Sequence, residues 1–143
     1  MNIIDTNIIG YCAHDGAFDK TKKSHGKFYG IFLYTNKDIV VKNYSRKHIY
    51  EVTAKGRILD IDELVPDDFS FLKIKPSKKS LGIGRSFIYL QAACMFPEVK
   101  DLIKTNILDK VDIILYTSPQ CHSISKEICI LNSGTIISYK TIE

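Results

Sequence analysis

The sequence has 143 residues and a mass of 16.3 kDa, a size at which one domain buries roughly two-thirds of its unfolded surface without disulfides or metals. Hydrophobic residues make up 45% and charged residues 25% of the chain, which excludes a disordered or low-complexity protein. No apolar run approaches the ~18–20 residues of a membrane-spanning helix, and the start, Met1–Asp5, has an acid and no basic residue. We therefore expect one cytoplasmic domain, residues 1–143, without a signal peptide.

The charge balance gives weak support for a nucleic-acid partner. The formal net charge is +4, and basic residues cluster at Lys20–Lys23 and Lys73–Lys79 without interleaved aromatic side chains. Such runs are typical of solvated loops. The four cysteines lack CxxC spacing and lie in or beside apolar segments, at Cys12, Cys94, Cys121 and Cys129. We interpret them as buried thiols in a reducing compartment.

The N-terminal half is predicted to contain strands and one short helix. Apolar alternation, aromatic content and turn residues define the elements. They are a strand over Ile3–Ala13 with a turn at Asp5–Asn7, an aromatic strand over Phe28–Tyr34, a helix from Thr35 to about Tyr44, a strand over His48–Ala54, a turn at Lys55–Gly56 and a short strand over Arg57–Ile61. Thr35 is expected to cap the helix, because Asp38 follows at the capping-box spacing.

The C-terminal half is predicted to contain two helices followed by strands. After an irregular stretch over Pro66–Ser80, helical spacing and a proline suited to a first helical position define the helices. The elements are helices over Arg85–Phe96 and Pro97–Ile107, and strands over Val111–Tyr116, Glu127–Leu131 and Thr135–Tyr139. Strands thus flank two helical regions without regular βαβ alternation, which indicates an α+β fold with mostly antiparallel strands.

Two short patterns in the sequence are compatible with a ligand-binding site but are poorly specific. Gly82–Ser86 is a glycine-rich turn before a helix, yet it lacks the P-loop lysine and the third glycine of a dinucleotide-binding turn, so we interpret it as a helix start. The side chains of Cys12, His14, Cys121 and His122 match no zinc-site spacing. We therefore expect no metal.

The order of several segments is more informative than any short motif. These segments are Tyr11–Lys20, Gly30–Tyr44, His48–Val52, Val111–Tyr116 and Ser125–Asn132. Their order resembles the ADP-ribosyltransferase fold, particularly its small bacterial and phage members and the diphtheria-toxin and poly(ADP-ribose) polymerase branch. The resemblance covers Ile8 to Ile137 and is most specific in the middle, where Gly30–Tyr44 is similar to the family's strand–helix pattern. It implies a split β-sandwich of mostly antiparallel strands with flanking helices.

The resemblance also implies an activity. Such a protein is a mono-ADP-ribosyltransferase, a glycosyltransferase that cleaves NAD+ at the nicotinamide–ribose bond and transfers ADP-ribose to a macromolecular acceptor. NAD+ is then the substrate and no metal is required. The acceptor is expected to be a protein, with nucleic acid as the alternative, and the enzyme is expected to be a monomer. By analogy with the family, it acts in the cell that makes it or is delivered to a host cell as a bare toxin, effector or phage protein.

Individual residues receive roles from the same resemblance. The catalytic glutamate of the family falls at Glu127, at the end of a loop, Ser118–Lys126, that helps choose the acceptor. The NAD+-binding positions fall at Cys12, Ala13, His14, Phe32, Tyr34 and Tyr44. Phe32 and Tyr44 are expected to hold nicotinamide between their rings, with Tyr34 supporting the pocket wall. Cys12–His14 stands where the family has a His-Gly pair and is expected to line the nicotinamide and ribose end, partly through its backbone.

The chemistry of these residue types agrees with those roles. Loss of nicotinamide develops positive charge on the ribose, which a fixed carboxylate stabilises. Glu127 is the sole acid between Asp112 and Glu143 and stands at a predicted strand start. Phe32 and Tyr34 share a strand face because side chains alternate with period two.

Three other interpretations remain open. The family's histidine is absent from its usual place, so His14 could act from two residues away, or His25-Gly26 could be the missing pair. An inactive relative of the fold could instead bind protein or nucleic acid through the lysine clusters. An NAD glycohydrolase would use the same site with water as acceptor. Glu127, Phe32 and Tyr34 also have ordinary structural interpretations, as a solvated strand-edge acid and as core aromatics.

Overall fold

The computed structural model describes residues 1–24, 28–43, 48–117 and 125–142. Its strands and helices are β1 (Ile3–His14), β2 (Ile31–Tyr34), α1 (Lys37–Asn43), β3 (His48–Asp60), α2 (Arg85–Ala93), α3 (Pro97–Asn106), β4 (Ile113–Thr117), β5 (Lys126–Ile130) and β6 (Ile136–Thr141). The predicted α+β class is confirmed. Across these ranges no helix is long and apolar enough to cross a membrane.

One sheet contains all six strands. Its order is β1-β2-β5-β4-β3, and β3 also pairs with β1, so five strands close into a barrel to which β6 adds on β3. The pairs are antiparallel apart from β3 with β4, which run parallel. The predicted predominance of antiparallel strands is therefore confirmed.

Two predicted turns are wrong, because β1 and β3 are long uninterrupted strands paired along their whole length. Asp5 lies directly opposite Arg57, and opposite charges across an antiparallel pair stabilise it. A Cβ atom on Gly56 would lie 2.9 Å from Asp112 Oδ2, so this glycine serves close packing and not a turn. Asp112 accepts hydrogen bonds from the Arg57 backbone N–H at 2.9 Å and from its Nε at 3.2 Å.

The other predicted elements occur with shifted ends. The strand predicted from Phe28 begins at Ile31, and the helix predicted to reach Phe96 ends at Ala93. Helix α1 is capped by Asn36, whose Oδ1 accepts the Asp38 backbone N–H at 2.9 Å. The predicted cap, Thr35, instead donates its hydroxyl to the Lys126 carbonyl at 2.6 Å.

Strands β2, β5 and β4 are buried on both faces. Their inner residues fill the barrel together with residues of β1 and β3, and include Ile31, Leu33, Ile113, Ile128 and Ile130. Their outer residues pack against the layer formed by α2, α3 and the connecting turns, as Ile114, Tyr116 and Cys129 do. Cys12 lies in the first core and Cys129 in the second, and burial raises the pKa of each thiol to about 12. Both are buried thiols, as predicted, whereas Cys94 is only half-buried and Cys121 lies outside the described residues.

Candidate active site

A row of polar and aromatic side chains crosses the outer face of the barrel. Tyr11 of β1 pairs with Tyr34 of β2, Tyr34 pairs with Glu127 of β5, and Glu127 pairs with Tyr116 of β4. Directly paired residues have Cβ atoms ~4.5–5.5 Å apart on the same face of a sheet. Four strands thus place three tyrosines and one glutamate in a single row, in which Glu127 lies between Tyr34 and Tyr116.

The contact between β2 and β5 depends on a glycine and a threonine. A Cβ atom on Gly30 would lie 2.6 Å from both Cys129 Sγ and the Ile130 carbonyl oxygen, so a larger residue would force the strands apart. At the other end, the Thr35 backbone N–H donates to the Lys126 carbonyl at 3.2 Å, beside the hydroxyl contact to the same oxygen. These contacts bracket the Tyr34–Glu127 pair and fix its register.

Lys126 anchors the start of β5 from the inner side. Its Nζ forms an ion pair with Asp60 and lies 3.6 Å from Asp62 Oδ2. Burial opposes the charge of Lys126, but the two carboxylates outweigh it and raise the pKa of the amine. Asp62 Oδ2 also accepts the Thr117 hydroxyl at 2.8 Å, which ties the end of β4 to the same cluster. Glu127 therefore follows a lysine whose position is set by β3 and β4.

Tyr116 is the most enclosed member of the row, with 1% of its surface exposed. Its ring stacks on Phe87 of α2, with centroids 3.7 Å apart and an interplanar angle of 4°. On the neighbouring strand Glu127 lies directly opposite Tyr116, on the same face of the sheet. Burial, and next the negative charge of Glu127, raise the pKa of Tyr116 well above its ordinary value, so the phenol stays a neutral donor.

A cavity of about 410 Å³ lies where β1 ends and β2 begins. His14 and Phe32 both line it, with Phe18 and Lys22 from the loop that follows β1. His14 is exposed, and the centroid of its ring lies 5.6 Å from the Phe18 ring centroid and 6.1 Å from the Tyr50 ring centroid. Phe32 lies two residues from Tyr34 on the same face of β2, roughly 7 Å along the strand. Phe32 thus lines the cavity and also shares the sheet face of the row.

The remaining predicted residues have different surroundings. The Cys12 side chain lies in the barrel core, so any contact of this residue with a ligand would use its backbone. Ala13 is half-buried on the same outer face as Tyr11. Tyr44, the pair His25-Gly26 and residues 118–124 of the predicted acceptor loop lie outside the described residues.

The glycine-rich turn is a helix start, as predicted. Gly84 has a φ of +77°, a left-handed conformation that suits glycine, and α2 begins at Arg85. The turn lies against the end of β4, since a Cβ atom on Gly84 would be 3.8 Å from Thr117 Cγ2. Ser86 is buried and donates its hydroxyl to the Leu81 carbonyl at 3.2 Å.

A larger cavity, about 630 Å³, lies between α2, α3 and residues 71–74. Its walls are mainly apolar and include Phe71, Tyr89, Phe96 and Leu102, and none of the predicted site residues lines it. In the ranges described, no three His, Cys, Asp or Glu side chains are grouped to hold a metal ion. The row and the smaller cavity are therefore the best candidate for a site of chemistry.

Comparisons of the chain with protein-family models, with curated proteins and with solved structures find no match.

Tyr116 and Lys126 were not predicted as site residues. Tyr116 ends an apolar strand pattern and resembles a core aromatic, while Lys126 resembles a solvated loop residue. The register between β4 and β5 brings Tyr116 and Lys126 next to Glu127, and nothing in the sequence shows that register directly. One signal was available, because Tyr116 and Glu127 flank the loop that joins two predicted strands.

Proposed function

We propose that the protein is an NAD+-dependent mono-ADP-ribosyltransferase with a macromolecular acceptor. The observation that carries the proposal is the register of β2 with β5, which sets Tyr34 opposite Glu127 and Phe32 on the same face. The resemblance to ADP-ribosyltransferases implies that Phe32, Tyr34 and Glu127 belong to one site. Their strands are far apart in the sequence, since the hydrogen-bonded residues Thr35 and Lys126 are 91 residues apart. A solvated strand-edge glutamate would not need to lie between two tyrosines on a covered face.

The fold assignment is part of the same proposal. In a split β-sandwich the two halves of the sheet face each other, and here β1, β3 and β6 form one half while β2, β5 and β4 form the other. The halves join through single or short pairings, at Tyr11 with Tyr34 and at Ile58–Asp60 with Ile113–Leu115. This arrangement supports an ADP-ribosyltransferase-like sandwich that is closed at its corners.

The reaction follows from the residues in the row and the cavity. The bond between ribose C1′ and the nicotinamide nitrogen breaks, and its electron pair leaves with nicotinamide. Glu127 stabilises the positive charge that develops on the ribose and orients its 2′-hydroxyl. The acceptor nucleophile then forms the new bond to C1′ and releases its proton to solvent. In this scheme Glu127 needs to be ionised and fixed, but it forms no covalent bond itself.

The cavity beside the row is where we place the nicotinamide and its ribose. Phe32 offers a ring face, and stacking on an aromatic ring is worth about 0.5–1.5 kcal/mol beyond burial. Tyr34 lies next to Glu127 in the row, and His14 lines the cavity together with Phe32. The Cys12–Ala13 backbone borders the same end of β1. Tyr44 remains the expected second stacking ring, and a protein side chain remains the expected acceptor.

The test is NAD+ turnover by the purified protein, with and without cell lysate. Wild type is compared with Glu127→Gln and with Glu63→Gln, an exposed acid that serves as the matched control. Nicotinamide release should fall at least a hundredfold in Glu127→Gln, the size expected when one electrostatic group of a transition state is lost. It should be unchanged in Glu63→Gln, and both variants should unfold like wild type.

The outcomes separate the interpretations. Release that needs lysate, with ADP-ribose attached to a lysate component, supports the transferase. Release at the same rate without an acceptor identifies an NAD glycohydrolase and overturns the transfer step. If neither NAD+ binding nor release occurs, the proposed function is wrong. The lysine clusters at Lys20–Lys23 and Lys73–Lys79 would then be tested for salt-dependent binding of nucleic acid.

A further inference from the structure

We propose that Tyr116 is a positioning residue for Glu127, and that Phe87 holds the tyrosine in place. The tyrosine hydroxyl donates to one carboxylate oxygen and leaves the other oxygen for the substrate. The inference rests on the proposed function for its catalytic consequence, although the contact itself is measurable without turnover. It assigns a role to a buried side chain that was not among the site residues predicted from the sequence.

The geometry gives Tyr116 little freedom. It lies directly opposite Glu127 in the β4–β5 pair, and its outer face is covered by the Phe87 ring at 3.7 Å. Phe87 is itself buried and also contacts the Phe28 ring at a centroid distance of 5.4 Å. A ring stacked in this way cannot swing away from the sheet without disturbing the helix layer. The Tyr116 ring is therefore fixed on the sheet face that it shares with Glu127.

The surroundings explain why the hydroxyl matters. Tyr34 of β2 and Cys129 of β5 share the outer face with Glu127, and α2 contributes the apolar Phe87. The nearest lysine along β5, Lys126, pairs with Asp60 and Asp62 on the inner face. Among these described neighbours, the side chains that share the outer face with Glu127 are thus uncharged. A neutral donor orients the carboxylate without cancelling the negative charge that the reaction uses.

Packing alone would be satisfied by phenylalanine at position 116. The stack with Phe87 and the apolar contacts to the helix layer use the ring and not the hydroxyl. A buried tyrosine hydroxyl normally has a hydrogen-bond partner, and the residue directly opposite Tyr116 on the same face is the proposed catalytic acid. The hydroxyl is therefore the part of Tyr116 that a structural role leaves unexplained.

The experiment compares wild type with Tyr116→Phe and with the matched control Tyr89→Phe, a half-buried tyrosine of α2 whose ring contacts Phe69. In Tyr116→Phe, kcat for nicotinamide release should fall about tenfold to a hundredfold, the size of a lost hydrogen bond to a charged group. KM for NAD+ should stay within about twofold, since ring packing is kept. Replacement of Tyr116 by 4-aminophenylalanine restores an N–H donor and should recover most of kcat, which a structural role would not predict.

Infrared spectroscopy with carbon-13-labelled glutamate gives a readout independent of turnover. Subtraction of the Glu127→Gln spectrum isolates the Glu127 carboxylate stretch, which should shift in Tyr116→Phe and return with 4-aminophenylalanine. No shift overturns the contact, and wild-type kcat in Tyr116→Phe overturns the positioning role. Absence of turnover in wild type overturns the proposed function, while the carboxylate shift still decides whether Tyr116 holds Glu127.

Discussion

On its inner face the β2–β5–β4 sheet carries isoleucine and leucine side chains that are almost fully buried, whereas on its outer face the same strands carry Tyr34, Glu127 and Tyr116. Strands covered on both sides normally have continuous apolar runs, because neither face meets water. The inner face follows that rule. The outer face departs from it at one row of residues, and the proposed function rests on that row.

The same contrast separates the two acids of the β4–β5 hairpin. Asp112, just before β4, accepts hydrogen bonds from Arg57 and from Asn132 Nδ2 at 3.2 Å, so its oxygens are occupied by the fold. Glu127, at the other end of the hairpin, is half-buried and lies between two phenols. The Asp112 carboxylate is thus engaged by the fold, and the Glu127 carboxylate is the one to which the proposed function assigns a catalytic role.

Disrupting the inner face should have the largest effect on stability. Ile130 is fully buried between Ile31 and Ile113, and truncating it in Ile130→Ala should lower the free energy of unfolding by about 2–5 kcal/mol. Urea unfolding followed by circular dichroism measures the change. Ile137→Ala, at a residue 61% exposed on β6, is the control and should change it by less than about 0.5 kcal/mol. Equal losses in both variants would contradict the two-core description.

Removing the structural carboxylate should have a smaller, pH-dependent effect. Hydrogen bonds from Arg57, above all, lower the pKa of Asp112 to about 2. The ionised group therefore stabilises the fold above about pH 4, and that contribution is lost as the pH falls from about 4 to about 2. Asp112→Asn should cost about 1–3 kcal/mol at pH 7.

Urea unfolding at pH 7, 4 and 2.5 tests this dependence on Asp112. The difference between wild type and Asp112→Asn should shrink steadily over that series. A difference that stays constant across the series would show that the Asp112 charge is not what stabilises the hairpin.

A change at the outer face should affect ligand binding with a modest effect on stability. Phe32→Leu keeps most of the apolar volume beside the helix layer, so unfolding should change by less than about 1.5 kcal/mol. Loss of the flat ring should raise KM for NAD+ about twofold to tenfold, the size of one aromatic contact. Steady-state kinetics measures KM, with Phe71→Leu, which lies in the larger cavity, as the control. An unchanged KM would place nicotinamide elsewhere.

The sequence predicted most elements but not how they pair. Helices α2 and α3 follow from apolar spacing and from Pro97, because those signals are local. The two false turns arose because Asp5 and Gly56 are turn residues by type. Their strand conformation is decided by partners far away, Arg57 for the first and Asp112 for the second.

The candidate site shows the same limit. Phe32 and Tyr34 could be placed on one face by strand period, and Glu127 could be singled out as an isolated acid at a strand start. Tyr116 could not be predicted, because its role depends on which residue of β5 lies opposite it. Cys12 was expected to line the nicotinamide and ribose end partly through its backbone, and the alternation of β1, which turns its thiol into the barrel, leaves only that backbone contact. Composition and the period of two show which side chains share one face of a strand. The register between strands decides which side chains on that face are neighbours.

The pairing of β2 with β5 also has a consequence for the order of folding. Helices such as α2 and α3 form from local contacts in microseconds, but sheets closed by strands far apart in the chain fold in milliseconds to seconds. A chain that has formed β1, β2 and β3 alone has Phe32 and Tyr34 in place and lacks the carboxylate beside them. During refolding, nicotinamide release should therefore appear with the slow phase that closes the sheet, after the helical signal has recovered.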